Sequence, residues 1–157
     1  MNSQVLHEGL KISDPTELEN YKWRIRLELE TNLKNQIHHM GTWAKYALWE
    51  AELGEIVRAR SIFEWAIEVD YKNVALWLKY AEMEMRFKFI NHARNIWERA
   101  CSLMPRIDQL WFKYTYMEEV LGHYDNAWVI FKAWMSWKPL ENGWNAFIKF
   151  EERHGDL

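Results

Sequence analysis

Residues 77–84 read WLKYAEME and residues 111–118 read WFKYTYME, two segments that share Trp, Lys, Tyr, Met and Glu at the same places. The frame returns upstream as WAKYALWE from Trp43 and downstream as WNAFIKFE from Trp144. The anchors Trp43, Trp77, Trp111 and Trp144 therefore fall 34, 34 and 33 positions apart. Each is followed by bulky side chains at the third and sixth positions and by Glu at the seventh or its equivalent: Tyr46, Trp49 and Glu50; Tyr80, Met83 and Glu84; Tyr114, Met117 and Glu118; Phe147, Phe150 and Glu151. Steps of three and four place such side chains on one helical face. A unit of this length cannot bury its apolar face alone and must stack on its neighbours.

A second motif alternates with the first. ARSIFEWAI from Ala59, ARNIWERAC from Ala93 and AWVIFKAWM from Ala127 recur at 34 residues, with Ala and Ile at common offsets. The small Ala lets this second helix approach the first closely, while Ile62, Phe63, Ile96, Trp97, Ile130 and Phe131 fill the space beside it. Gly54, Gly122 and Gly155, with Lys88 at the matching place, suit a left-handed residue just past a helix end. Pro105 and Pro139 fall after the second helix, where proline turns the chain. The pattern predicts an all-α fold, a right-handed α-α superhelix (solenoid) of tetratricopeptide-like hairpins. The repeat array is expected over residues 40–157, as 40–73, 74–107, 108–140 and a half repeat 141–157. Asp14-Pro15-Thr16-Glu17 is a helix start, with a cap residue and a proline in the first turn. Leu18, Tyr21, Ile25, Leu29 and Leu33 continue it, so 14–39 is expected as an N-terminal capping helix and 1–13 as a flexible tail.

Composition narrows the function. Of 157 residues 49% are hydrophobic and 27% charged, which excludes disorder over the whole chain. A net charge of −3 offers no positive field for a phosphate backbone. No apolar run approaches a membrane span, no secretory signal is legible, and the single Cys101 forms no internal disulfide, so a soluble intracellular chain is expected. The six histidines stand at no metal-ligand spacing, and neither a phosphate loop nor a nucleophile elbow occurs. No catalytic, cofactor-binding or metal residue is expected, and the chain reads as a binding protein rather than an enzyme.

The Trp-x-x-Tyr opening with Glu seven residues on, and the Ala59-Arg60 and Ala93-Arg94 openings of the second helix, resemble half-a-tetratricopeptide (HAT) repeats. These residues suggest that Glu50 pairs with Arg60, and Glu84 with Arg94, across each hairpin; solvated surface charge is the alternative. Glu118 has no such partner, because Trp128 stands at its place. The stretch from Ile12 to Tyr21, LWLKYAEMEM at 76–85, HARNIWERA at 92–100, PRIDQLWFKYTYMEE at 105–119 and WMSWKP at 134–139 together resemble the N-terminal HAT array of the Crooked neck family. That resemblance implies a non-catalytic scaffold of pre-mRNA splicing, nuclear, whose partners are other splicing proteins. Trp65, Phe87 and Trp128 depart from the repeat pattern; they either point outward as partner contacts or belong to a diverged core. The face of Trp144, Phe147 and Phe150 lacks a following helix, so self-association or docking of a partner helix is expected there, unless the last helix folds back. Two further readings remain: an RNA-binding helical repeat, which the acidic balance disfavours, and a short relative that competes with a full-length scaffold.

Overall fold

The computed structural model describes Val5–Leu6, Leu10–Lys11 and residues 14–155. Strands β1 (Val5–Leu6) and β2 (Leu10–Lys11) pair antiparallel, with Val5 opposite Lys11. The remainder of the tail expected over residues 1–13 lies outside the described residues. Helices follow in chain order: α1 (Pro15–Asn35), α2 (Met40–Glu52), α3 (Ile56–Val69), α4 (Val74–Arg86), α5 (Ile90–Leu103), α6 (Asp108–Val120), α7 (Tyr124–Met135) and α8 (Glu141–His154). The Trp motifs lie on α2, α4, α6 and α8, and the Ala motifs on α3, α5 and α7. Asp14 caps α1 by accepting the Thr16 amide at 3.0 Å, with Pro15 in the first turn. Proline fits there because its missing N–H would have no partner inside the helix.

The chain divides after Leu76 into two compact units. In the first, α2 and α3 form a tight hairpin whose buried side chains include Ala47, Ala51, Ala59, Phe63 and Ala66. Alanines on both helices let the backbones approach, so one large ring, Phe63, fills the seam. Helix α1 packs on α2 through Leu29 and Leu33, and Tyr21 packs with Leu53 beside Leu18, Ile25 and Trp49. Exposed Glu28 and Asn32 sit 34 positions before buried Ile62 and Ala66. At these positions α1 offers no apolar surface to a further helix. In the second unit α5 packs on α6, α6 on α7, and α8 against both α6 and α7. Fully buried Trp134 lies parallel to Trp111 at 6.3 Å and edge-on to Phe112 at 4.8 Å.

The hairpin turns repeat atom for atom. Gly54, Lys88 and Gly122 are left-handed, with φ of 85, 66 and 79°. In each turn the following amide donates back to the carbonyl of the motif glutamate: Glu55 to Glu50 at 3.0 Å, Phe89 to Glu84 at 2.8 Å and His123 to Glu118 at 2.9 Å. This six-to-one bond closes a Schellman motif and satisfies an orphan helix carbonyl. Gly155 departs from the expectation. Its φ is −77°, and its amide donates to Glu151 in the ordinary helical pattern, so this end of α8 needs no left-handed residue. Lys138, at φ 52°, takes that conformation before Pro139 instead.

A left-handed L-residue costs about 1 kcal/mol or more that glycine avoids. Lys88→Gly is therefore expected to stabilise the fold by about 1 kcal/mol, and Gly122→Ala to destabilise it by a similar amount, since open space surrounds Gly122. Urea midpoints at unchanged slope measure both; a Lys88→Gly midpoint at or below the parent's would refute strain at this turn.

Candidate functional site

The repeat tryptophans hold turns as well as core. The Trp43 indole N–H donates to the Ile37 carbonyl at 2.8 Å and that of Trp111 to the Pro105 carbonyl at 2.9 Å, each bond reaching back six residues. Trp43, Trp77 and Trp111 are buried, as are Tyr46 and Tyr80, while Tyr114 is half-buried. The Tyr46 hydroxyl donates to Glu30 at 2.9 Å, and burial first, then that bond, pushes its pKa up to about 12. Burial likewise raises the Cys101 thiol to about 12, which leaves it protonated and a poor nucleophile. Among the described residues no group of His, Cys, Asp and Glu could hold a metal ion, and no helix is long and apolar enough to cross a membrane.

Glu50, Glu84 and Glu118 are each at most 1% exposed, so their charges require partners. The partners are not those expected. Glu50 accepts Arg26 Nε at 3.0 Å and Nη2 at 2.9 Å from α1, and Arg58 Nε at 2.7 Å from α3. Arg94 donates to Glu118 at 2.6 Å instead of Glu84. His92 Nδ1 lies 3.9 Å from Glu84. His123 Nδ1 lies 3.8 Å from Glu118 and 2.6 Å from Arg94 Nη2. Arg94 of α5 thus faces α6, 24 residues on, and not α4, whereas Arg58 of α3 serves Glu50 of the Trp helix before it. Arg26, Arg60 and Arg94 share the 34-residue register in the sequence, and this recurrence was the signal that could have revealed Arg26.

The expected contact residues separate by exposure. Trp65 is 55% exposed and Trp128 43%, whereas Phe87 is half-buried. Trp65 borders a shallow apolar groove of about 240 Å³ with Leu33, Ile37 and Trp43. The Lys132 ammonium sits 4.9 Å above the Trp128 ring. On α8, Trp144 is 43% exposed and Phe147 half-buried, but Phe150 is buried at 5.0 Å from Phe131 and cannot serve as a contact. Phe150 occupies the position of buried Met117 and turns back to the preceding hairpin, not toward a following helix. A second groove, between α6 and α8, is lined by Phe131 and by Phe112, Tyr116, Asn145 and Lys149, four residues to which the repeat pattern assigns no role. Phe112 and Tyr116 stand one and five positions after Trp111, and Asn145 and Lys149 one and five after Trp144. That shared stripe is legible in the repeat alignment. At its end Arg153 donates to both Glu119 oxygens at 2.7 and 3.0 Å, and His154 lies 2.9 Å from one of them.

Removing one member of a buried pair leaves the other charge stranded, at a cost of about 3 kcal/mol or more. Arg94→Met is expected to destabilise by that order and the double variant with Glu118→Met to recover most of it, while a cycle on Arg94 and Glu84 gives a coupling near zero. Coupling to Glu84 instead would overturn the assignment. Arg153, and then His154, hold the Glu119 carboxyl below its usual value against the opposing effect of burial. A depressed carboxylate stabilises fully above its unfolded pKa of about 4.3 and loses that contribution as pH falls through the folded value. The stability gap between parent and Glu119→Gln is therefore expected to close on acidification below about pH 4 in urea titrations; a gap unchanged there would exclude the ion pair as its source.

Residues 33–108 match the family model described as pre-mRNA-splicing factor Syf1/CRNKL1 C-terminal HAT repeat. Pre-mRNA-splicing factor CLF1 of Saccharomyces cerevisiae is 55% identical over 92% of this chain and 21% of its own length. Pre-mRNA-splicing factor clf-1 of Neurospora crassa is 55% identical over 83% of the chain and 19% of its own length. Crooked neck-like protein 1 of Mus musculus is 51% identical over 40% of the chain. The matched stretch is 9% of that mouse protein's length, so the chain spans a small part of the curated relatives it matches. Two crystal structures of MamA share the fold, with TM-scores of 0.50 and 0.51 over 79% and 90% of this chain and 68% and 85% of theirs. At 15% and 14% identity that likeness concerns the fold alone, and it agrees with the helical-repeat solenoid class. Over most of its length the chain is similar to the CLF1 pre-mRNA splicing factors, over 40% of it to Crooked neck-like protein 1, and residues 33–108 match a HAT-repeat model of such splicing factors.

Proposed function

We propose that the chain is a non-catalytic HAT-repeat scaffold in pre-mRNA splicing, acting in the nucleus by binding other splicing proteins. The observation that carries this reading is the 55% identity to the yeast splicing factor CLF1 over 92% of the chain. The structure supports it from another side. The repeat-defining residues Trp43, Trp77 and Trp111, with Glu50, Glu84 and Glu118, are spent inside the fold, which leaves the exposed aromatics for partners. Trp65 and Trp128 are the contact residues of this reading, with Phe87 contributing its exposed part. Pairing of two copies through α8 would use Trp144 and Ile148, 43% and 52% exposed, and not buried Phe150.

Affinity capture from yeast nuclear extract with the tagged chain, read by mass spectrometry, tests the proposal. Splicing proteins are expected to be enriched, and the Trp65→Glu/Trp128→Glu double variant, folded by circular dichroism, to recover at least about tenfold less of them, as loss of aromatic anchors predicts. Recovery of no splicing protein by the folded parent chain would remove the splicing role.

A further inference from the structure

The groove between α6 and α8 is not used by the repeat packing. One wall carries Phe112 and Tyr116, 37% and 66% exposed. The other carries Asn142, Asn145 and Lys149, all exposed and spaced three and four apart on one face of α8. The groove encloses about 410 Å³. The Thr115 hydroxyl on its floor is already bonded to the Trp111 carbonyl at 2.9 Å. At one end Glu119 and Arg153 neutralise each other. Among the described residues Lys149 forms no ion pair, and the Asn142 and Asn145 side chains form no hydrogen bond, so the groove retains one uncompensated positive charge.

Each of these groups matches part of an extended polypeptide. A carboxamide both donates and accepts, as a main-chain peptide group requires. An ammonium takes a carboxylate. Two aromatic rings shelter an apolar side chain. From Asn142 to Lys149 the helix rises about 10 Å at 1.5 Å per residue, the length of about three extended residues. A nucleic-acid strand would need a track of cations, whereas this groove has a single free lysine and a carboxylate at its end.

We propose that this groove binds an extended acidic segment of a protein partner. A side-chain carboxylate sits on Lys149, main-chain groups meet Asn142 and Asn145, and an apolar side chain lies against Phe112 and Tyr116. The proposal rests on the scaffold reading above and deepens it by naming the partner's chemistry.

The probes are acetylated, amidated octapeptides with one Phe among three Glu, compared with the same peptides carrying Lys for Glu, each titrated into the ¹⁵N-labelled chain. Amide shifts are expected on the facing stripes of α6 and α8 with the Glu peptides only. Affinity should fall at least tenfold in Lys149→Glu and, without any change of charge, in Asn145→Ala, both exposed positions, with folding checked by circular dichroism. Equal binding of the Lys peptides, shifts elsewhere, binding only of peptides with a free C-terminal carboxylate, or displacement of the peptide by oligouridine would each overturn the proposal. Capture of splicing proteins by Lys149→Glu at the parent's level would overturn the groove and leave the scaffold standing. Groove binding of the Glu peptides with no splicing protein captured would support the groove and remove the splicing role.

Discussion

A carboxylate with almost no access to water is the constraint around which each hairpin is arranged. Glu50 and Glu118 lie inside the stack, and burying an ionised group is tolerable only with cations and hydrogen bonds in place. The same residue's backbone carbonyl receives the six-to-one bond that ends its helix. One glutamate therefore fixes both where the first helix stops and how the neighbouring helices are registered against it. A helix slipped by one residue would move the charge off its arginine and the carbonyl off its turn together. The net stabilisation from such a pair is modest, so its contribution is to the uniqueness of the packing more than to its depth.

Trp43 and Trp111 solve the complementary problem at the other ends of α2 and α6. Trp43 and Trp111 bury a large ring and use their one donor to satisfy the carbonyl of the turn leading into the helix. An apolar residue of similar size would fill the space but leave that carbonyl without this donor. This double duty gives Trp43 and Trp111 a reason to be tryptophan and not merely bulky, whereas Trp144 is 43% exposed.

How much of this could be read from the chain follows from what periodicity encodes. Helix faces, hairpin turns and the Asp14 start depend on local spacing, and the left-handed Lys88 was legible because it stood where the other repeats have glycine. The partner of each glutamate was not legible from one hairpin, since a helix between two neighbours can direct an arginine to either. Only the recurrence of Arg26 ahead of the first full hairpin distinguishes forward from backward pairing. Phe150 differs from expectation for the same reason: it packs on Phe131 of the preceding hairpin, at the repeat position where Met117 is also buried. The groove on α6 and α8 was missed because its residues occupy positions where the repeats share no residue type, so a search for what recurs passes over them.

Because Arg26 serves Glu50 and Arg94 serves Glu118, in both places the cation precedes the acid along the chain. During synthesis from the N-terminus, a ribosome would deliver each of these glutamates to an arginine that had already emerged. The array is thus polarised in time as well as in space: growth in the opposite order would leave Glu118 waiting for Arg94, whereas Glu50 would meet Arg58 but still wait for Arg26.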